Sequence, residues 1–171
     1  MLGRNSKPKN SCPSKFTALD NKSSNVSSSS CYFISTRRKN WENAKKLCES
    51  RNSQLIAFET LNEKKYMLEY LLASHYRNVN SRKTVQTDFQ SEYWTAGSDM
   101  TQEGIWLWSG SKTLVGNIGW RREKKPDSKT ENCLSWSLTL ITSSDVSSQV
   151  KEGWVSSWCL KNLRYICELH T

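Results

Sequence analysis

The stretch YWTAGSDMTQEGIWLWSG, residues 93–110, decides how the second half of this chain is built. Its aromatic residues come in two short runs, Tyr93 with Trp94 and Trp106 with Trp108, separated by a polar turn containing Gly104. The pattern recurs downstream in NIGW (117–120), CLSWSL (133–138), GWVSSWC (153–159) and LRYICEL (163–169). Short aromatic segments punctuated by glycine and serine predict an antiparallel β half with long loops.

Upstream the period changes. Asn40 is placed to cap a helix whose face carries Trp41, Ala44, Leu47 and Cys48 and which should stop near Asn52. QLIAF (54–58) reads as a short buried strand. Thr60 and Glu63 have capping-box spacing, opening a second helix with Met67, Leu68, Leu71 and Leu72 inside and an end near His75. Residues 77–91 have no apolar face and are expected to be a loop. Residues 1–30 are rich in Ser, Asn and Lys apart from Phe16, Ala18 and Leu19, so they read as a polar extension or stalk before a folded domain over residues 31–171. Helices first and strands later make an α+β domain.

At 171 residues the chain has one domain's length, and only 36% of it is apolar. Eight tryptophans, six tyrosines and four phenylalanines compensate by burying large surfaces at few positions. No run approaches the ~18 apolar residues that cross a bilayer, and MLGRNSKPKN lacks an apolar signal core, so the chain reads as a mature segment without membrane insertion. The net charge of +9 is partly local, in Arg37, Arg38 and Lys39 and in Arg121, Arg122, Lys124 and Lys125. Such clusters attract acidic partners or simply solvate a surface.

Six cysteines without a C-x-x-C pair read as disulfides rather than a zinc site, and arithmetic leaves about 15 connectivities open. Asn21-Lys22-Ser23 and Asn25-Val26-Ser27 are glycosylation sequons, which makes Asn21 and Asn25 candidate acceptors. Cysteines and sequons together point to a secreted or extracellular protein.

The ordered set CYFIS, NWENAKKLC, YWTAGSD, EGIWLWSG, a Trp before a proline turn, ENC, GWVSSWC and YICE resembles the C-type lectin-like domain, from Cys31 to Glu168. The flavour is similar to that of small secreted invertebrate members. The resemblance implies two helices, two small antiparallel sheets and long loops, with Cys48 bonded to Cys167 and Cys133 to Cys159. Cys12 and Cys31 then remain, similar to the N-terminal bridge of the family's long form. Their wider spacing leaves open a disulfide-linked dimer through Cys12.

In this family a calcium ion held by five loop side chains bridges to sugar hydroxyls, since a hard cation needs about six to eight oxygens. The turn here is Lys125-Pro126-Asp127, and an ammonium offers no lone pair. Glu131 stands two before Cys133 as the family's second Glu does, but Val155 and Ser156 follow Trp154 where Asn and Asp are required. The resemblance therefore implies a site that has lost its metal, with Lys125 either paired to Asp127 or Glu131 or turned to solvent. For an auxiliary, weaker calcium site it supplies Asp99, Glu103, Glu131 and Asn132, while Ser128 replaces an expected carboxylate. Those acids equally suit a turn before Trp106.

Catalysis is disfavoured: His75 and His170 are the only histidines, and neither adjoins a nucleophile or metal motif. Trp120-Arg121-Arg122 mixes aromatic and basic character, but no nucleic-acid-binding motif accompanies it. The expectation is a non-catalytic recognition module for a protein or an anionic, sulfated glycan, with no cofactor beyond weak calcium. Its ligand surface is Trp120, Arg121, Arg122, Lys124, Lys125, Asp127, Glu131 and Ser156, with Trp158 nearby in chain order. For Trp120 and Trp158 the resemblance favours core positions. The alternative is a residual calcium-dependent lectin of galactose type using Asp127 and Glu131.

Overall fold

The computed structural model describes residues 12–19, 30–82, 89–116, 119–121, 129–142 and 148–171. They form β1 (Thr17–Ala18), β2 (Ser30–Ile34), α1 (Trp41–Glu49), β3 (Gln54–Leu55), α2 (Leu61–Arg82), β4 (Phe89–Ser98), β5 (Leu107–Trp108), β6 (Cys133–Thr142), β7 (Ser148–Ser157) and β8 (Arg164–His170). This is an α+β fold with two helices.

Helix α1 starts as its sequence requires. The Asn40 side chain accepts the Asn43 N–H at 2.9 Å, and Trp41, Ala44 and Cys48 are buried. The chain leaves it through Asn52, whose φ of 53° lies in the left-handed region that asparagine tolerates. In α2, Thr60 Oγ1 accepts the Glu63 N–H at 3.1 Å, but the Glu63 carboxylate reaches back to Glu59 N at 3.2 Å instead of to Thr60. The helix runs past His75 to Arg82, and β4 begins at Phe89, so most of the expected 77–91 loop is regular structure. Tyr76, Arg77 and Asn78 are exposed, and a helix already nucleated adds one hydrogen bond per residue without needing an apolar face.

Only two residues of QLIAF join a ladder. Ile56 donates to Ile166 O at 2.9 Å and accepts from Ala96 N at 2.8 Å, so it wedges between β8 and β4. The two antiparallel groups meet at a parallel contact, Tyr93↔Arg164 and Trp94↔Tyr165, and form one sheet ordered β1-β2-β8-β4-β6-β7. The centre is aromatic: Trp94, Trp108, Trp136, Trp154 and Tyr93 are fully buried, and Phe58 packs on Trp136 at 5.0 Å and on Trp154 at 5.7 Å.

The fold begins before the boundary expected at Cys31. Thr17 and Ala18 pair with Tyr32 and Cys31, Leu19 is buried, and Phe16 lies 5.9 Å from Phe33. Phe16, Ala18 and Leu19 are too few in a polar segment to give a period. Cys12 bonds Cys31 within the chain, beside Cys48–Cys167 and Cys133–Cys159. By chain entropy, a bridge across 119 residues stabilises by about 4 to 5 kcal/mol and one across 26 by about 3.5 kcal/mol.

Candidate functional site

Residues 119–121 lie against β7 at Trp154. Trp154 donates to Gly119 O at 3.1 Å and accepts from Arg121 N at 2.9 Å, so residues 119–121 add a short parallel edge to the sheet. Gly119 adopts φ 70°, and Gly153 makes the approach possible: a Cβ there would stand 2.8 Å from Arg121 Cα. Arg121 is consequently held in place. Its guanidinium donates to Thr139 Oγ1 at 2.8 Å and to Lys151 O at 3.2 Å, across the outer face of the β6–β7 hairpin.

Trp120 is half-buried with its ring centre 5.5 Å from that of Trp106. The two flank a groove of about 340 Å³ that also touches Ile105, Leu114 and Val115. Trp158 is not a core residue: it is 58% exposed. It follows β7 directly, on the residue before Cys159, where the bridge to Cys133 fixes the backbone and leaves the indole outside. Arg122, Lys124, Lys125 and Asp127 lie outside the described residues, as do Asn21 and Asn25.

Glu131 and Ser156 meet. Ser156 is buried, and its hydroxyl donates to Glu131 Oε2 at 2.9 Å. Asp99 is buried too; its Oδ2 accepts the Gly104 N–H at 3.0 Å, and its backbone N donates to Asn132 O at 3.3 Å. Asp99 Oδ1 and Asn132 Oδ1 are buried without a hydrogen-bond partner. A buried acceptor left this way costs about 1–3 kcal/mol, and a hard cation is one means of satisfying it. Glu103 is exposed, and among the described residues no three His, Cys, Asp or Glu side chains converge as a metal site. Two of the four auxiliary residues therefore suit a cation, but the set as a whole does not enclose one.

Three charged clusters behind the loops escaped the sequence reading. Lys64, 7% exposed, pairs with Glu152 at 2.8 Å, and Trp136 Nε1 donates to the same carboxylate oxygen at 2.7 Å. Its position was legible, since Lys64, Met67 and Leu71 share one face of α2. Glu92 accepts from Ser135 at 2.6 Å, Ser157 at 3.1 Å and Lys161 at 2.9 Å. Burial pushes its carboxyl up, but these donors outweigh burial and hold it below the ordinary carboxylate value. At the start of α2, Tyr32 donates to Glu63 at 2.8 Å beside the buried Glu168. Burial, reinforced by the Glu168 charge, pushes Glu63 up to about 7; burial also raises Glu168 and, with both carboxylates, the Tyr32 phenol.

An α+β fold with three disulfide bridges, whose loops carry the candidate ligand surface, defines a class of recognition domain. The family model of the lectin C-type domain matches residues 37–169, and the chain belongs to that family, whose members are generally non-catalytic recognition proteins. It is 22% identical over 103 residues to the C-type lectin mosGCTL-7 of Aedes aegypti, covering 60% of this chain and 62% of that one. The chain thus spans about three fifths of that relative's length. Its fold is similar to the human scavenger receptor C-type lectin carbohydrate-recognition domain, with TM-score 0.60, 21% identity, and coverage of 94% of this chain and all of that one. It is equally similar to a calcium-independent type II antifreeze protein, with TM-score 0.62, 18% identity, and coverage of 94% and 95%. No helix among the described residues is long and apolar enough to cross a membrane.

Proposed function

We propose that the protein is an extracellular recognition module that binds a protein or an anionic glycan through its loops, without bridging a sugar by calcium. The observation that carries this reading is the Ser156 hydroxyl on Glu131 at 2.9 Å. The carboxylate that a principal calcium would take is engaged by a residue standing where the family's motif has an acid. Lys125 in the turn acts in the same direction, since in sequence it stands where the family's motif has an oxygen donor and an ammonium offers no lone pair. One fold serves both a carbohydrate-recognition domain and a calcium-independent protein, so family membership does not decide the matter.

The basic run Arg121, Arg122, Lys124 and Lys125 contains one acid, Glu123, and keeps a positive local field suited to sulfate or carboxylate. Arg121 is partly committed to the hairpin, so the remaining three carry the greater part. Calorimetry of the purified protein with a glycan panel, with and without chelator, tests the reading. Binding of sulfated glycans that persists in chelator and weakens with salt is expected; binding of neutral galactosides that chelator abolishes would overturn it.

A second reading rests on the unpartnered Asp99 Oδ1 and Asn132 Oδ1: weak calcium at the auxiliary position that orders the turn without touching ligand. Calcium titration followed by the Asp99 backbone resonance separates the two readings.

A further inference from the structure

The cluster Arg37, Arg38 and Lys39 belongs to a part of the molecule that the loop reading does not use. Lys39 and Leu163 exchange backbone hydrogen bonds at 2.8 and 3.0 Å, and Ser35 N donates to Tyr165 O at 2.9 Å. Between these anchors residues 36–38 bend outward. The Ser35 hydroxyl holds the bend by donating to Arg37 O at 2.9 Å while accepting from Tyr165 N at 2.8 Å. Trp94 Nε1 donates to Lys39 O at 2.8 Å. The backbone presenting these cations is therefore ordered before any ligand arrives, and less freedom is lost on contact.

The neighbouring turn is equally fixed. Lys161 N donates to Trp158 O at 2.8 Å, Trp41 N donates to Cys159 O at 3.0 Å, and Cys159 is bonded to Cys133. On this turn Trp158 is 58% and Leu160 59% exposed. Lys161 is occupied by Glu92. Among the described residues, by contrast, no carboxylate pairs with Arg37, Arg38, Lys39 or Arg164, and Arg164 Nε is buried without a partner.

We propose that this corner, Arg37, Arg38, Lys39 and Arg164 beside Trp158 and Leu160, is a second binding surface whose ligand is a sulfated or uronate-bearing polysaccharide. A pyranose ring offers an apolar C–H face to a flat indole, while its sulfate or carboxylate groups take guanidinium forks at the rim. An acidic peptide supplies the charge but lacks the flat face. The surface is built from other residues than the 121–125 run and stands or falls separately from it.

The test uses the full chain and a heparin-derived octasaccharide, with poly-glutamate of equal charge as comparison, across a salt series. Arg37→Ser/Arg38→Ser/Lys39→Ser should weaken octasaccharide binding about tenfold or more at about 0.1 M salt and flatten its salt dependence. Trp158→Ala should weaken it at every salt concentration without changing the slope. Both effects should persist when Arg121, Arg122, Lys124 and Lys125 are all serine, whatever that background does to the loop site. A charge-matched control, Lys65→Ser/Arg77→Ser/Lys112→Ser, should cost much less. Equal loss in the control, or an unaffected corner triple, overturns the surface; poly-glutamate binding as tightly, or an unaffected Trp158→Ala, overturns its assignment to a polysaccharide.

Discussion

Lys64 Nζ lies 2.8 Å from Glu152 Oε2 and 5.3 Å from the ring centre of Trp154, so α2 is pinned to β7 by a buried charge seated over an indole. The two partners are not equivalent, because Lys64 is buried and the Glu152 side chain is 28% exposed. Removing the carboxylate takes this ion pair from a buried ammonium. Glu152→Ala should therefore cost about 3 kcal/mol, and Lys64→Met clearly less, since Glu152 keeps water and the Trp136 indole. Urea unfolding of the two variants checks the order.

The acid pair at the start of α2 makes stability fall as pH rises. Glu63 titrates at about 7 in the fold and near the ordinary carboxylate value when unfolded. Between those values the folded state holds the extra proton, so this contribution is complete below about pH 4.5 and lost on passing pH 7. Glu63→Gln should match the parent at pH 4.5 and exceed it at pH 8 by on the order of 2 kcal/mol. Unfolding measured at both pH values decides it; a uniform offset would show that the pair does not titrate in this window.

Glu92 acts with the opposite sign. Its folded carboxyl sits below the ordinary value, so its stabilisation is present above the unfolded value and disappears as pH falls through the folded one. Glu92→Gln should be least stable, relative to the parent, at neutral pH and should converge with it in acid. The same melting series, extended downward, measures the difference.

Gly153→Ala forces the Arg121 backbone away from β7, because its Cβ would stand 2.8 Å from both Arg121 N and Cα. A strand that cannot approach loses the two hydrogen bonds at Trp154. The expected result is a loss of about 1–3 kcal/mol together with weaker binding at the 121–125 run, since the run's anchor moves. Amide exchange at Arg121 and Trp154 reports the separation directly.

Chelation should barely disturb the fold. A millimolar site at millimolar calcium contributes about 0.4 kcal/mol, and one tenfold tighter about 1.4 kcal/mol. The melting temperature should consequently change by a few degrees at most.

The β half was legible because its aromatic residues recur beside glycine and serine, and α1 because Asn40 and its apolar period coincide. The distal end of α2 was not, since nothing after His75 marks a face. The early part of β7 was missed for a related reason: Gln149, Val150 and Lys151 are all exposed, and an exposed hairpin edge has no burial pattern to read. The meeting of Ser156 with Glu131 was implied only through the family resemblance. Glu168 gave a signal that went unread, a carboxylate in the buried run after Tyr165, Ile166 and Cys167. Trp158 misled because the family resemblance favoured a core position, while the cysteine beside it fixes the backbone and not the ring.

The bridges also determine how this domain would bear a pull. Tension applied through the two ends passes directly from Cys12 to Cys31 and from Cys48 to Cys167, bypassing the 119-residue span between the latter pair. Only the stretch from Cys31 to Cys48 and the tails outside the bridges can pay out, and that inner stretch is about 60 Å when fully drawn. A ligand seated between residues 49 and 166 would thus remain on a covalently closed loop while β2 and α1 gave way. The domain would lengthen like a short tether with a hard stop.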